Sequence, residues 1–489
     1  MAFKIRESIC EVPMNYVLFY PDELRAESMS VYGHPLIKTP NYERLAREGT
    51  VFEHNYSTHP VCAASRCSLV TGWYPHVKGY RTLRYELDNS QPNFFKYLRE
   101  AGYKTCLSAK NHCFDRTATE AGFDRVIEFT RTSDMWQDVI QEKGQADYTM
   151  VHPPVPADQV ETIPDHKFVE AGMQFIRDMA AEKSPFFMFF SINYPHCPYT
   201  GPEEFYNMYD PDDIPPLRDL SWLEGKPKLY RLIRQYRESG RPEDWIYKKM
   251  NAIYLGMISY TDMLLGRVIA TLEQEGLYED TTVIVCSDHG DFAGDVGLPE
   301  KWPSAMDDML TRVPLIIRRP GCPGGHRVRE LTQSFDIFPT VLDYENIAIR
   351  HDQFGVSLRH QVEGAPGDPD RVVYCEGGYD TREPHCFEGT DVFPYTILNR
   401  PGTDYYPKMQ QQQKEPDSVC RVIMQRDSRY KLTMRTNGEN EFYDMLEDPR
   451  EYYNLYNDPI YSRLINERTR RMLTWLIHTS DVVPWEGHV

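Results

Sequence analysis

An α/β architecture with a mostly parallel sheet is predicted by three features of this sequence. Short continuous apolar runs recur along the chain, segments with helical signals lie between them, and acidic, basic or histidine residues follow each run at once. Tyr16-Val17-Leu18-Phe19-Tyr20 is the first run and leads into Pro21-Asp22-Glu23. Runs of this kind, apolar on both faces, are what buried parallel strands require. Tyr103 to Ser108 is a second, weaker run ending at Lys110-Asn111-His112. Phe186 to Phe190 is the third and ends near His196; Thr282 to Cys286 is the fourth and ends at Asp288-His289.

Helices are predicted between these strands. Thr39-Pro40 gives a cap and a first-turn proline, and Gly49 stops that helix. Asn89-Ser90 opens another, which ends at Gly102. Lys167 to Ala181 carries apolar residues at helical spacing, and Met250 to Glu275 is a long amphipathic candidate. In open α/β sheets, ligands bind beyond the carboxyl ends of the strands. One polar loop there is ordinary. Four such loops, together supplying three carboxylates, a lysine and three histidines, point to a shared site.

The texture changes after about residue 365. Gly364 to Pro369 reads as a linker, placing a larger unit over residues 1–368 and a smaller α+β unit over 369–489. Arg421 to Met424 and Tyr430 to Met434 read as strands of a small antiparallel sheet, and Ile465 to Ile477 as a terminal helix. The polar insertion around Gln410 to Gln413 reads as a long surface loop, suited to homo-oligomer contacts or to covering a site.

Composition bounds the partners. The formal net charge is −19, which disfavours a phosphate backbone, so no nucleic-acid partner is expected. Eleven cysteines with no C-x-x-C pair form neither a disulfide framework nor a zinc ribbon and suit a reducing compartment. No membrane span and no basic-then-apolar leader is read, so the expected location is cytoplasmic.

The most specific segment is Cys62-Ala63-Ala64-Ser65-Arg66-Cys67-Ser68-Leu69-Val70-Thr71-Gly72. It resembles the sulfatase signature, C-x-P/A-S-R followed by L-T-G. Asp22-Glu23-Leu24-Arg25 is similar to that family's first metal loop and Lys110-Asn111-His112 to its K-W-H element. Pro195-His196 is similar to its P-H pair, Ser287-Asp288-His289-Gly290 to its second metal loop, and Lys301 to the lysine downstream. Phe442-Tyr443-Asp444, Asp448-Pro449 and Asn454-Leu455 resemble its closing pattern. The matches occur in family order. Ala64, Val70, Asn111, Val296 and Glu23 depart from the commoner residues without removing a charged group.

The resemblance implies an alkaline-phosphatase-like fold and a hydrolase in which a separate maturation enzyme oxidises Cys62 to formylglycine. It implies one divalent metal held by Asp22, Glu23, Asp288 and His289. Calcium is the expected ion for an oxygen-dominated set, and the histidine leaves Mg²⁺ or Mn²⁺ open. Arg66, Lys110 and Lys301 would place positive charge where negative charge develops. A hydroxyl of the aldehyde hydrate would attack sulfur, His196 would protonate the leaving alcohol, and His112 would deprotonate the second hydroxyl to expel sulfate. A short helix from Ser65 to Thr71, stopped by Gly72, would set residue 62 near a helix N-terminus, where anions are stabilised. The expected substrate is a sulfate ester, of a glycan by analogy with bacterial relatives. A phosphonate monoester or phosphodiester on the same scaffold is the alternative.

Overall fold

The computed structural model describes residues 13–128, 149–237, 244–389 and 401–483. Its centre is a nine-stranded sheet. The strands are β1 (Asn15–Pro21), β2 (Thr50–Tyr56), β3 (Lys104–Ala109), β4 (Arg125–Ile127), β5 (Phe186–Ile192), β6 (Thr281–Cys286), β7 (Arg312–Val313), β8 (Leu315–Arg318) and β9 (His326–Gln333). They lie in the order β4-β3-β5-β1-β6-β8-β2-β7, with β9 also paired to β2. The block β4-β3-β5-β1-β6 is parallel throughout. The pairings of β8 with β6 and of β7 and β8 with β2 are antiparallel. The four apolar runs of the sequence are therefore β1, β3, β5 and β6, which stand side by side.

Strand side chains alternate between faces, and the core divides accordingly. Val17, Phe19, Met188, Phe190, Val283 and Val285 face one layer, built on the helices Pro164–Glu182 and Asp244–Gln274. Tyr16, Leu18, Tyr20, Phe187, Phe189 and Ile284 face the other, with the helices Cys62–Thr71, Phe94–Glu100 and Ile337–Tyr344. Both faces are covered, which is why these strands read as unbroken apolar runs rather than alternating ones.

Several expectations shift. The helix expected to open at Asn89-Ser90 starts at Phe94, because the Asn93 side chain caps the Lys96 amide. Residues 245–274 form a helix long and apolar enough to cross a bilayer, although no such run was read from the sequence; most of it is buried inside the fold. The polar insertion is not a loop over its described part. Tyr406–Lys414 is a helix in which Lys408, Gln411 and Gln412 are buried.

A second, four-stranded antiparallel sheet is formed by β10 (Val373–Gly377), β11 (Val422–Arg426), β12 (Tyr430–Arg435) and β13 (Glu441–Asp444). It grips the large unit through buried ion pairs. Lys226 Nζ lies 2.7 Å from Asp307 and 3.3 Å from Glu441. Lys431 Nζ lies 2.8 Å from Asp308 and 2.7 Å from Glu451.

The long helix leaves no room for a side chain at Gly256. A Cβ there would lie 2.0 Å from the Phe205 carbonyl oxygen of the short helix Glu203–Tyr206. Backbone cannot give way as a side-chain tip can. Gly256→Ala should lower stability by roughly 1–3 kcal/mol, the usual cost of overpacking, read as a lower thermal midpoint. An unchanged midpoint would show that the Glu203–Tyr206 turn moves freely.

Candidate active site

Each of the four adjacent parallel strands delivers its polar residues at the carboxyl end. Asp22 and Glu23 follow β1, Lys110 and His112 follow β3, His196 follows β5, and Asp288 and His289 follow β6. The register carries them together: Pro21 pairs with Ile192, and the Asp22 amide donates to the Ile192 carbonyl at 3.1 Å. The helix Cys62–Thr71 enters the same space with Cys62 as its first residue and Gly72, at φ 70°, as its stop. It begins three residues earlier than the sequence suggests, so residue 62 stands at the helix N-terminus itself.

Arg66, one turn into that helix, organises the centre. Its Nη2 lies 3.0 Å from Asp22 Oδ2 and 2.8 Å from Asp288 Oδ2, its Nε donates to Asp288 Oδ2 at 2.9 Å, and its Nη1 reaches Ser191 Oγ. Lys110 Nζ adds a contact of 2.7 Å to Asp22 Oδ2. Burial alone would raise the Asp22 carboxyl, but Lys110, His196 and Arg66 hold it well below the ordinary carboxylate range.

Cations take one oxygen of each carboxylate; Asp288 Oδ1 accepts from the Glu23 and His289 amides at 3.2 and 3.0 Å, whereas Asp22 Oδ1 is left over. Asp22 Oδ1 and His289 Nε2 are buried and have no hydrogen-bond partner. His289 Nε2 lies 3.8 Å from Asp22 Oδ1 and 3.9 Å from Asp288 Oδ1. The His289 Nδ1–H donates to the Gly290 carbonyl at 2.9 Å, which leaves Nε2 with its lone pair pointing at the two oxygens. Burial disfavours a charged imidazole here, yet Asp288, the Cys62 side chain and Asp22 raise the His289 pKa; a spot between two carboxylates that attracts a proton attracts a cation. Two carboxylate oxygens and an imidazole nitrogen, all within 4.8 Å of one another, fit one divalent ion.

Glu23, expected from the sequence beside those ligands, faces elsewhere. Its φ of 66° turns the chain, and its Oε1 contacts Lys301 Nζ and lies 3.6 Å from His196 Nε2. Burial pushes Glu23 up to about 8, against Lys301 and with help from Asp291. Burial would lower Lys301, but Glu23 and Glu300 hold it well above its usual value. Both directions are met if Lys301 stays charged while one of the carboxyls near it, Glu23 or Asp291, keeps a proton, since burial raises both.

The histidines flank this centre. His112 Nδ1 lies 3.4 Å from Cys62 Sγ, the atom that oxidation to formylglycine would replace. His196 Nδ1 donates to the Cys197 carbonyl and Nε2 accepts from Lys301 Nζ at 2.9 Å. Burial, Lys110 and Lys301 lower the His196 pKa well below the ordinary value. In this arrangement the proton resides on Lys301.

Other residues were invisible to motif reasoning. Ser191 bonds Arg66 and donates to the Lys110 carbonyl at 2.7 Å. The Tyr199 hydroxyl donates to Asp291 Oδ1 at 2.7 Å and accepts from the Glu300 amide at 2.8 Å. Only Asp291 had a signal available, its place directly after Ser287-Asp288-His289-Gly290.

A buried cysteine at a helix N-terminus, with three cations nearby and a residue group able to hold a divalent ion beside it, is an arrangement suited to hydrolysis of an anionic ester. Comparison with known proteins gives the family. Residues 14–347 match the model of the sulfatase family, described as "Sulfatase". The chain belongs to the sulfatase family and, by that membership, is a sulfuric ester hydrolase. It is 25% identical to the multifunctional alkaline phosphatase superfamily protein PehA of Trinickia caryophylli, over 95% of this chain and 93% of that protein. It is also 25% identical to an arylsulfatase of Clostridium perfringens, over 92% of each. The phosphonate monoester hydrolase of Agrobacterium radiobacter shares the fold, with a TM-score of 0.75 at 23% identity over 95% of this chain and 96% of that one.

Two tests follow from the pocket geometry. Divalent ions should raise the thermal midpoint, by about 2.7 kcal/mol of added stability when the free ion is 100 times its Kd. Asp22→Asn and Asp288→Asn should abolish that rise, because each removes an anionic oxygen from the pocket. Retention of the full shift in both variants would place the ion elsewhere.

Proposed function

We propose that the chain hydrolyses the sulfate ester of a carbohydrate, using a formylglycine derived from Cys62 and one divalent ion. The observation that carries this reading is the meeting of Arg66, Lys110 and Lys301, from three distant stretches of sequence, around residue 62. A sulfate ester repels an attacking anion unless its oxygens are neutralised, and these cations meet that need.

Asp22, Asp288 and His289 would hold the ion, with Ca²⁺ proposed and Mn²⁺ and Mg²⁺ as competitors for a set that includes an imidazole. When bound, it would polarise a sulfuryl oxygen and favour the nucleophile's anionic form. A formylglycine hydrate would supply two hydroxyls, one to attack sulfur and one whose deprotonation releases sulfate. A plain thiol lacks the second and cannot complete that cycle. His112, beside Cys62 Sγ, is placed to take that proton. A sugar alcohol is a poor leaving group and requires a proton as it departs. His196 is the proposed source: once Lys301, which donates to its Nε2 at 2.9 Å, turns to the substrate anion, Nε2 is free to take a proton from solvent and give it to the alcohol oxygen.

The likeness to PehA and to a phosphonate monoester hydrolase supports a second reading, hydrolysis of phosphonate monoesters or phosphodiesters at the same residues. Protein whose residue 62 is shown by peptide mass to be formylglycine should be assayed on a panel of sulfate and phosphorus esters. Faster turnover of the phosphorus esters would replace the first reading by the second. Cys62→Ala should abolish turnover and leave the melting profile unchanged; near-parental hydrolysis would refute the nucleophile assignment.

The proton path has its own test. His196→Ala should slow sugar sulfates far more than a nitrophenyl sulfate, which leaves unprotonated, because a general acid contributes about 10²–10⁴-fold. Equal losses on both esters would move the acid role to His112.

A further inference from the structure

The segment Asp404–Lys408 lies more than a hundred residues beyond Lys301, yet it packs against the site loops of the large sheet. Asp404 Oδ2 lies 2.8 Å from His152 Nε2, and its carbonyl accepts from Arg237 at 3.2 Å. The Tyr405 hydroxyl is 3.8 Å from the sulfur of Cys197, the residue after His196. Lys408 Nζ is 2.7 Å from Glu300 Oε1 and 3.6 Å from Glu388. Lys408 and Glu300 are only 3% and 1% exposed.

Glu300 immediately precedes Lys301 and bonds three cations. Its Oε1 faces Lys408 and, at 3.6 Å, Lys301; its Oε2 lies 3.0 Å from Arg237. The Lys301 ammonium in turn is closer to His196, at 2.9 Å, and touches Glu23. It is thus shared between a Glu300 side and a His196 side. A buried carboxylate stripped of one cation attracts the next nearest more strongly, because low-dielectric surroundings screen little. Without Lys408, the nearest movable cation is Lys301.

We propose that Lys408 is a positioning residue for Lys301: by neutralising Glu300 it keeps the Lys301 ammonium on the His196 side, where it meets the substrate anion. This rests on the reading of Lys301 as a substrate-facing cation. It assigns the helix Tyr406–Lys414 a part in the reaction that its glutamine-rich sequence gives no hint of. It also accounts for a buried lysine on a helix whose other buried polar residues are glutamines.

The experiment is a double-mutant cycle on the full chain, read as kcat and KM on a nitrophenyl ester of whichever class, sulfate or phosphonate, the parent protein hydrolyses. Lys408→Met should lower kcat/KM ~10–100-fold, the usual effect of removing a group that orients a site residue, and Lys408→Arg should restore most of it. In a Lys301→Ala background, Lys408→Met should add less than about a 2-fold further loss, since coupled residues are not additive. A purely structural lysine would give the same loss in both backgrounds, and that result overturns the proposal. So does a folded Lys408→Met protein with parental kcat/KM. If Lys408→Met does not fold, Lys408→Gln keeps a donor to Glu300 without its charge, and the same two outcomes decide. Hydrolysis of phosphonates but not sulfates would refute the sulfate reading and leave this cycle fully interpretable.

Discussion

A buried carboxylate stays ionised only if positive charge lies against it, and Asp22 is where the whole site meets that condition. It stands at the end of β1, which lies between β5 and β6 in the parallel block. One of its oxygens is taken by Arg66 and Lys110, from the nucleophile helix and from the loop after β3. The other is free and faces His289. At Asp288 the Oδ2 likewise goes to Arg66, while Oδ1 accepts from the backbone amides of Glu23 and His289. The guanidinium of Arg66 suits this use because its planar fork bonds two carboxylates at once and stays charged at any working pH. It locks Cys62, one turn before it, to the metal pocket. Losing Asp22 would therefore unsettle a cation pair, a metal ligand and the helix that carries residue 62.

The strands that carry the site were legible in the sequence because both their faces are buried. Phe186 to Phe190 could not be anything but interior, and the polar residues just past it had to lie at a strand end. Cys62, Arg66, Lys110, His112, His196 and Lys301 all lie in one region of the structure, as do Asp22, Asp288 and His289. Other strands gave no such signal. β2 carries Glu53 and His54 in its middle, β7 has two residues, and β9 mixes arginines and glutamate with its apolar positions. Nor could sequence spacing show where Glu23 turns. Adjacent acids in one loop look interchangeable until the backbone dihedral is known, and a positive φ at a glutamate is not written in its neighbours. The Tyr406–Lys414 helix escaped for a related reason. It lacks an apolar stripe: beside Pro407 and Met409 it buries Lys408, Gln411 and Gln412, and Lys408 and Gln412 pair with Glu300 and Glu388.

The small sheet holds the segment that follows Lys301. Trp302 Nε1 and Ser304 Oγ both donate to the Ser418 carbonyl, at 2.6 and 2.7 Å. The Gly378 amide donates to the Pro303 carbonyl at 2.8 Å, and a side chain at Gly377 would strike that same oxygen at 2.2 Å. Asp307 and Asp308 are then held by Lys226 and Lys431. Breaking one partner of such a buried pair leaves an uncompensated charge, which is far costlier than losing a surface contact. The C-terminal residues therefore set the path of the chain on which Lys301 sits.

The placement of charge also constrains the chemistry. Burial, with Lys110 and Lys301, depresses His196, so in the resting site that imidazole is neutral and accepts the Lys301 hydrogen bond. A dianionic transition state arriving among these cations would relieve that depression, because added negative charge favours the imidazolium. Protonation of His196 then becomes more favourable as negative charge gathers beside it, while Lys301 keeps its own charge. On the proposed reading of His196 as the acid, the arrangement keeps it neutral in the empty site and makes it competent when the anion is bound. A histidine already charged in the empty site would add a fourth cation to a site that already buries three.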